Sequence, residues 1–105
     1  MIVLETKYEL VHQVNEPKFL NSLKTHLLNV KSLFQEVLEI VVFNVGDHEF
    51  PTFAVHFHFK SDSEDLYALF KKKHLEHIRS DFPPEIALAL KTEIRALMPW
   101  PDFLQ

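Results

Sequence analysis

The chain has 105 residues, of which 47% are hydrophobic and 25% are charged, and its formal net charge is -4. This length predicts a single domain over residues 1–105, and the hydrophobic content predicts a core that folds without disulfides, since there is no cysteine. The 11 Lys and Arg residues are scattered except for Lys71, Lys72 and Lys73, which argues against a nucleic-acid partner. With no apolar run near the ~18 residues that span a bilayer, we expect a cytoplasmic protein with neither signal peptide nor membrane anchor.

The first two elements are predicted from their hydrophobic periods. From Ile2 to His12, apolar and polar residues largely alternate, which predicts a half-buried strand. Asn15 as a capping residue and Pro17 in a first turn predict that a helix begins next and ends between Asn29 and Leu33. Its apolar residues recur at steps of three and four: Phe19, Leu20, Leu23, Leu27, Val30 and Phe34.

The middle of the chain predicts two further strands. Residues Val37 to Val45 are almost continuously apolar and β-branched, which is typical of a strand covered on both faces by sheet neighbours and a partner. A polar hairpin loop from Gly46 to Pro51 then leads into an alternating strand from Thr52 to Lys60. In that strand Phe53, Val55, Phe57 and Phe59 share one side, and Ala54, His56, His58 and Lys60 share the other.

The C-terminal half predicts a helix, a short helical turn and a last strand. Ser61 and Glu64 have capping-box spacing, so a helix should run from there to about Arg79 and stop before Phe82. The segment from Glu85 to Met98 fits both helical and strand periods, and we divide it into a short helical turn after Pro84 and a strand from about Lys91 to Leu97. In the tail, residues 99–105, two prolines prevent a continued ladder, while three apolar side chains favour docking on a neighbouring element or a second subunit.

The order β-α-β-β-α-β resembles the ferredoxin-like α+β fold, with an antiparallel sheet in the order 4-1-3-2 and two helices on one face. It also resembles the subunits of dimeric α/β-barrel proteins. Residues spread over the chain are similar to an uncharacterised bacterial family, domain of unknown function 4286: Met1-Ile2-Val3, Phe59-Lys60, Glu64, Leu66, Phe70, Phe82, Ala89, Thr92 and Glu93. The resemblance implies this fold and a tendency to form homodimers, and it supplies no catalytic residues.

In that sheet order, the polar sides of three strands meet on one face. The candidate ligand-binding residues there are Glu5, Lys7, Glu9, His56, His58 and Arg95, with Lys91 and Glu93 beside them. One interpretation is a solvated or dimer-covered face held by cross-strand ion pairs, which we favour. The other is a polar cavity between the sheets of two subunits. His56 and His58 point the same way and would need a third ligand, such as Glu5 or Glu9, to bind a metal, so we expect no metal site.

The remaining histidines give weaker signals. His74 and His77 lack the spacing and general base of helical zinc motifs, and we interpret them as surface or interface residues. His12, His26 and His48 look like ordinary strand-end, helix and loop residues. We expect no resident cofactor.

Three functions remain open. The first is a non-enzymatic homodimeric module that binds a small molecule or a protein, since the second strand and the tail offer apolar surface that a monomer would leave exposed. The second is a dimeric-barrel enzyme, monooxygenase-like or haem-degrading, that uses histidines on the sheet or helix face. The third is a metal-responsive regulator acting through His56 and His58.

Overall fold

The computed structural model describes residues 2–11, 16–46, 49–60 and 64–105. In chain order the elements are β1 (Ile2–Leu10), α1 (Glu16–Leu33), β2 (Val37–Asn44), β3 (Thr52–Phe59), α2 (Glu64–Asp81), α3 (Pro84–Ala89) and β4 (Leu90–Leu97). The strands form one antiparallel sheet in the order β2-β3-β1-β4. This is the predicted 4-1-3-2 sheet counted from its other edge, so the ferredoxin-like fold is confirmed. The expected helix caps at Asn15 and Ser61, and Asp47 and His48 of the hairpin loop, lie outside the described residues.

The two central strands bury alternate residues, as their sequences predict. In β1 the even-numbered residues from Ile2 to Leu10 are buried and the odd-numbered ones are half-buried. β3 buries Val55, Phe57 and Phe59 and turns Ala54, His56 and His58 the other way. Because Leu4 lies opposite Phe57 in the register, the buried rows of the two strands share one face. The helices pack on that face.

β2 is a strand, as predicted, but the described residues of the chain leave most of its side chains exposed. Only Val37 is buried, and Leu38, Val42 and Phe43 are 60%, 48% and 44% exposed. β2 is an edge strand, and a register shift between Val37 and Glu39 interrupts its ladder with β3. As an edge strand β2 has one sheet neighbour, and the helices that the structure describes leave most of its apolar run exposed.

The helices close the core with aromatic side chains. α1 buries Phe19, Leu23, Leu27 and Val30, as its period predicts, whereas Leu20 is 42% exposed. From α2, the Phe70 ring packs against the rings of Phe57 and Phe59 at centroid distances of 4.9 and 5.7 Å. Among the described residues, no helix is both long and apolar enough to cross a membrane.

The ambiguous segment divides close to where it was predicted to divide. Pro83 precedes α3 and the ring of Pro84 sits in its first turn, where a proline costs no hydrogen bond. Ile86 and Ala89 are buried, and the chain turns into β4 at Leu90. β4 then completes the sheet by pairing with β1 from Val3–Leu97 to Leu10–Leu90.

Candidate functional site

The sheet face opposite the helices carries most of the polar residues that the sequence singles out. We call it the open face, because no described element of the chain lies over it. By register and alternation, it consists of Val3, Glu5, Lys7 and Glu9 of β1, Glu39, Val41 and Phe43 of β2, Ala54, His56 and His58 of β3, and Lys91, Glu93, Arg95 and Leu97 of β4.

Glu5 is the centre of the polar contacts on the open face. It lies opposite His56 on one neighbouring strand and opposite Arg95 on the other. Arg95 Nε donates to Glu5 Oε1 and His56 Nε2 donates to Glu5 Oε2, both at 2.7 Å, and only 13% of the Glu5 side chain is exposed. Burial alone would raise the pKa of Glu5, but the hydrogen bonds from Arg95 and His56 outweigh it and hold that pKa below its usual value.

A small cleft lies beside this network. Lys7 Nζ is 3.6 Å from Glu93 Oε2, and the cleft is lined by these two residues together with Glu5 and Arg95. Its volume is about 140 Å³. The cleft thus presents two carboxylates and two cations within one small space.

The other two predicted ligand-binding residues lie apart from this group. His58 is opposite Val3 and Glu39, and its ring centroid is 6.5 Å from that of His56. Glu9 is opposite Thr52 and Lys91. Within the described ranges neither makes a hydrogen bond or an ion pair, and no group of three or more His, Asp or Glu residues is placed to hold a metal ion.

A second polar cluster runs from inside the core to the exposed Asn29, and the sequence interpretation did not place one there. Tyr8 Oη and His74 Nε2 share a hydrogen bond of 2.7 Å, and both side chains are fully buried. His26 Nδ1 donates to Asp81 Oδ2 at 2.7 Å, and Asn29 Nδ2 donates to Asp81 Oδ1 at 2.9 Å. The His26 and His74 rings meet edge to face at 5.0 Å. We call these five residues the buried histidine cluster.

The cluster changes the titration of its members. Burial lowers the pKa of His74 to about 3, with a smaller contribution from His26. Burial also lowers the pKa of His26, although its bond to Asp81 opposes the change. Burial and the Asp81 carboxylate raise the pKa of Tyr8 well above its usual value. Both cluster histidines are therefore neutral at pH 7.

The interpretations of His26 and His74 from sequence are wrong. His74 is not a surface or interface residue and His26 is not an ordinary helix residue, because both have no exposed surface. Their positions in the helical period could have indicated that both are buried. His26 lies three residues after Leu23 and four before Val30. His74 lies four residues after Phe70 and four before Ile78. His77 is partly exposed, with Nδ1 3.7 Å from Asp81 Oδ2, and His12 and His48 lie outside the described residues.

A larger cavity lies on the helix side of the sheet, at the β4 edge. It has a volume of about 450 Å³ and its walls come from α2, α3 and the start of β4. We call it the α2–α3 groove. Most of its lining is apolar, namely Leu75, Ile78, Ala87, Leu88 and Leu90, while Glu76, Arg79 and Thr92 add polar groups. No candidate residue from the sequence lies in it.

The chain resembles several solved structures over almost its whole length. A dimeric ferredoxin-like protein from an uncultured marine organism has a TM-score of 0.64 at 10% identity, over 91% of this chain and 92% of that one. A putative antibiotic biosynthesis monooxygenase from Deinococcus radiodurans has a TM-score of 0.62 at 12% identity, over 98% and 96%. An uncharacterised NIPSNAP domain protein from Burkholderia xenovorans has a TM-score of 0.61 at 14% identity, over 95% and 96%.

These likenesses show the fold alone, since proteins of one fold have many functions and the identities are low. No protein-family model matches the chain, and no curated protein matches it significantly. The resemblance to domain of unknown function 4286 therefore stays a prediction.

Proposed function

We propose that the chain is a non-enzymatic binding module that works as a homodimer, with the open faces of two copies packed around a small polar molecule. The observation that carries the proposal is the Glu5 network. The Glu5 carboxylate is 13% exposed and accepts a hydrogen bond on each oxygen, so a second copy can bury it without leaving it unpaired. No described element of its own chain covers it. Ionic groups can be buried at an interface at moderate cost only when they are paired in this way.

The charge of the open face suits a second copy of itself. Four acidic residues, Glu5, Glu9, Glu39 and Glu93, alternate with three cationic ones, Lys7, Lys91 and Arg95. Because the net charge of the open face is so close to zero, the face does not repel a second copy of itself. A two-fold axis can then place acidic residues of one copy over cationic residues of the other.

The same face also has apolar surface to bury. Val41, Phe43 and Ala54 form an apolar border toward β2, and the Phe43 ring packs against His56 at a centroid distance of 4.9 Å while 44% of Phe43 is exposed. Val3 and Leu97 are paired at the opposite corner. Apolar groups between paired charges are typical of interfaces that are more polar than a core.

The cleft beside Glu5 is too small in one copy to be a complete ligand site. Its volume of about 140 Å³ is below the roughly 300–1,000 Å³ of ordinary ligand pockets. Two clefts that face each other across a dimer would enclose roughly twice that volume, lined by both signs of charge. Such a lining favours a zwitterion over a dianion or a dication, because each ligand charge then meets its opposite.

The same proposal places the protein in the cytoplasm, since a chain without cysteine needs no oxidising compartment. It also places the chain in the uncharacterised bacterial family that its sequence resembles.

Dimerisation is tested by sedimentation at micromolar concentration. The wild-type protein should sediment as a dimer, and Ala54→Arg should sediment as a monomer, because it puts a long cation in the apolar border of the open face, opposite Lys7. The matched control is Leu28→Arg on α1, where the side chain is 58% exposed and away from the sheet. A monomeric wild type, or a dimeric Ala54→Arg with unchanged affinity, contradicts the proposal.

The ligand is tested by a thermal-shift series of free amino acids, short dicarboxylates and short diamines at millimolar concentration. Zwitterionic amino acids should raise Tm of the wild type more than the other two classes, and Arg95→Gln should remove the difference. If no class raises Tm of a confirmed dimer, the ligand part of the proposal is wrong and the dimer part stands.

A further inference from the structure

The segment after β4 holds apolar side chains in an ordered and exposed arrangement. The Trp100 and Phe103 rings pack together at a centroid distance of 5.0 Å, and the Phe103 N–H donates to the Trp100 carbonyl at 3.2 Å. Yet Trp100, Phe103 and Leu104 are 73%, 66% and 91% exposed. We call residues 98–105 the aromatic tail. Large apolar groups that are held in place and left in water are typical of a binding surface rather than of a core.

The α2–α3 groove has the complementary properties. Leu75 and Leu88 on its walls are 53% and 84% exposed, so it is an apolar surface without cover. Arg79 lines the groove and makes no ion pair within the part of the chain that the structure describes. Asp102 lies between the two aromatic residues of the tail and likewise has no such partner among the described residues. One feature thus offers aromatic side chains with a carboxylate, and the other offers an apolar groove with a guanidinium.

We propose that the aromatic tail of one copy binds in the α2–α3 groove of a second copy. Trp100 and Phe103 cover the apolar walls, and Asp102 pairs with Arg79. This inference rests on the homodimer proposed above. A two-fold axis makes the exchange reciprocal, so that each dimer forms two tail contacts and the assembly closes. Because the tail is already ordered by its own turn, little conformational entropy is lost on binding.

The geometry favours the second copy over the tail's own chain. The groove is lined by Leu90 and Thr92 at the start of β4, whereas the tail leaves the other end of the strand after Leu97. In the structure the tail is exposed and does not occupy its own groove. Because the turn between Trp100 and Phe103 keeps the tail compact, the tail stays at the far end of β4 from its own groove, and the groove that it meets is a partner's.

The chain contains a direct probe of this contact, since Trp100 is its only tryptophan. The emission maximum should move to shorter wavelength as the protein concentration rises through the dimerisation range measured by sedimentation. Leu88→Glu should abolish that shift and weaken dimerisation at least tenfold, because it puts a carboxylate beside Asp102 on an exposed position that folding does not need. Leu28→Glu is the matched control and should leave both measurements unchanged.

A charge exchange tests the pairing independently of packing. Asp102→Arg should weaken dimerisation, and Asp102→Arg combined with Arg79→Asp should restore it. If the double variant is no better than the single one, this ion pair does not form and the inference is wrong.

The outcomes separate the two proposals. A monomeric wild type overturns both. A dimer that Ala54→Arg dissociates, but whose Trp100 emission does not change between monomer and dimer, overturns the tail contact and leaves the open-face dimer. A short-wavelength emission that does not depend on concentration means that the tail binds its own chain, and it overturns the exchange.

Discussion

The buried histidine cluster predicts that the protein loses stability in mild acid, and His74 gives the magnitude. Its pKa is about 3 in the folded protein and about 6.5 when exposed in the unfolded chain. Between these values the unfolded state binds a proton that the folded state does not, so stability falls as the pH falls from about 6.5 toward 3. From pH 7 to pH 5, this one residue should remove about 2 kcal/mol from the free energy of unfolding. Because the folded pKa lies well below 5, the loss at pH 5 is set by protonation of the unfolded state.

The other titratable groups around His74 do not cancel this effect. Tyr8 of β1 stays protonated and neutral throughout this range, since its pKa is raised. His26 of α1 also has a lowered pKa and adds a loss in the same direction. Asp81 raises the pKa of both histidines by its charge, but burial is the larger cause in each. His77, one turn further along α2, lowers the pKa of both when it is charged.

The test is His74→Gln, measured by urea unfolding at pH 7 and pH 5. Glutamine keeps a hydrogen-bonding group near the Tyr8 hydroxyl and cannot be protonated in this range. The variant should be less stable than wild type at pH 7 through lost packing, but its loss between pH 7 and pH 5 should be smaller than that of wild type by about 2 kcal/mol. His58→Gln on the open face is the matched control and should keep the wild-type loss. If His74→Gln and wild type lose the same amount, His74 is not held neutral in the core and the reasoning is refuted.

Two further predictions concern the core and the open face. Phe70→Ala should lower the free energy of unfolding by about 3–5 kcal/mol, because its fully buried ring packs against three other phenylalanines. Phe43→Ala, on the half-exposed edge strand, should lower it by under about 1 kcal/mol in the monomer. Equal losses in urea unfolding would show that the core is misassigned. Arg95→Gln should raise the pKa of Glu5 in an NMR titration, since it removes one of the two hydrogen bonds that lower it. The stability that Glu5 loses on acidification should then be smaller, because its folded and unfolded pKa values lie closer together. Lys91→Gln, the same charge change on the same strand, should leave the Glu5 titration where it is, and a shift of equal size there would contradict the role of the Arg95 contact.

Much of the fold could be predicted from sequence because its period signals are clean. Alternation in β1 and β3 assigns every residue of those strands to a face, and the strand order then brings Glu5 opposite His56 and Arg95. The division near Leu90 was predictable because Pro83 and Pro84 allow a helix to start after them. The exposure of β2 within the chain was not predicted, and the reason is physical. Composition reports that a segment is apolar, but not whether it lies at the centre or at the edge of a sheet.

The buried histidine cluster was missed for a different reason. Histidine is commonly at a surface, and only its position in the helical period distinguishes a buried one. The period places His26 and His74 on the core side, but the partners that satisfy them, Asp81 and Tyr8, are 55 and 66 residues away in sequence. The α2–α3 groove could not be predicted either, since a cavity depends on how α2, α3 and β4 fit together rather than on any one of them.

The place of β1 in the sheet also has a consequence during synthesis. β1 leaves the ribosome before the other three strands of the sheet, yet one of its two partners, β4, is made about 80 residues later. Until β4 is made, β1 lacks one of its two hydrogen-bonded neighbours, and the sheet that buries its apolar residues is incomplete. At roughly 5–20 residues per second this delay lasts several seconds. The charged residues Glu5, Lys7 and Glu9 of β1 disfavour pairing of that edge with a wrong strand during this time.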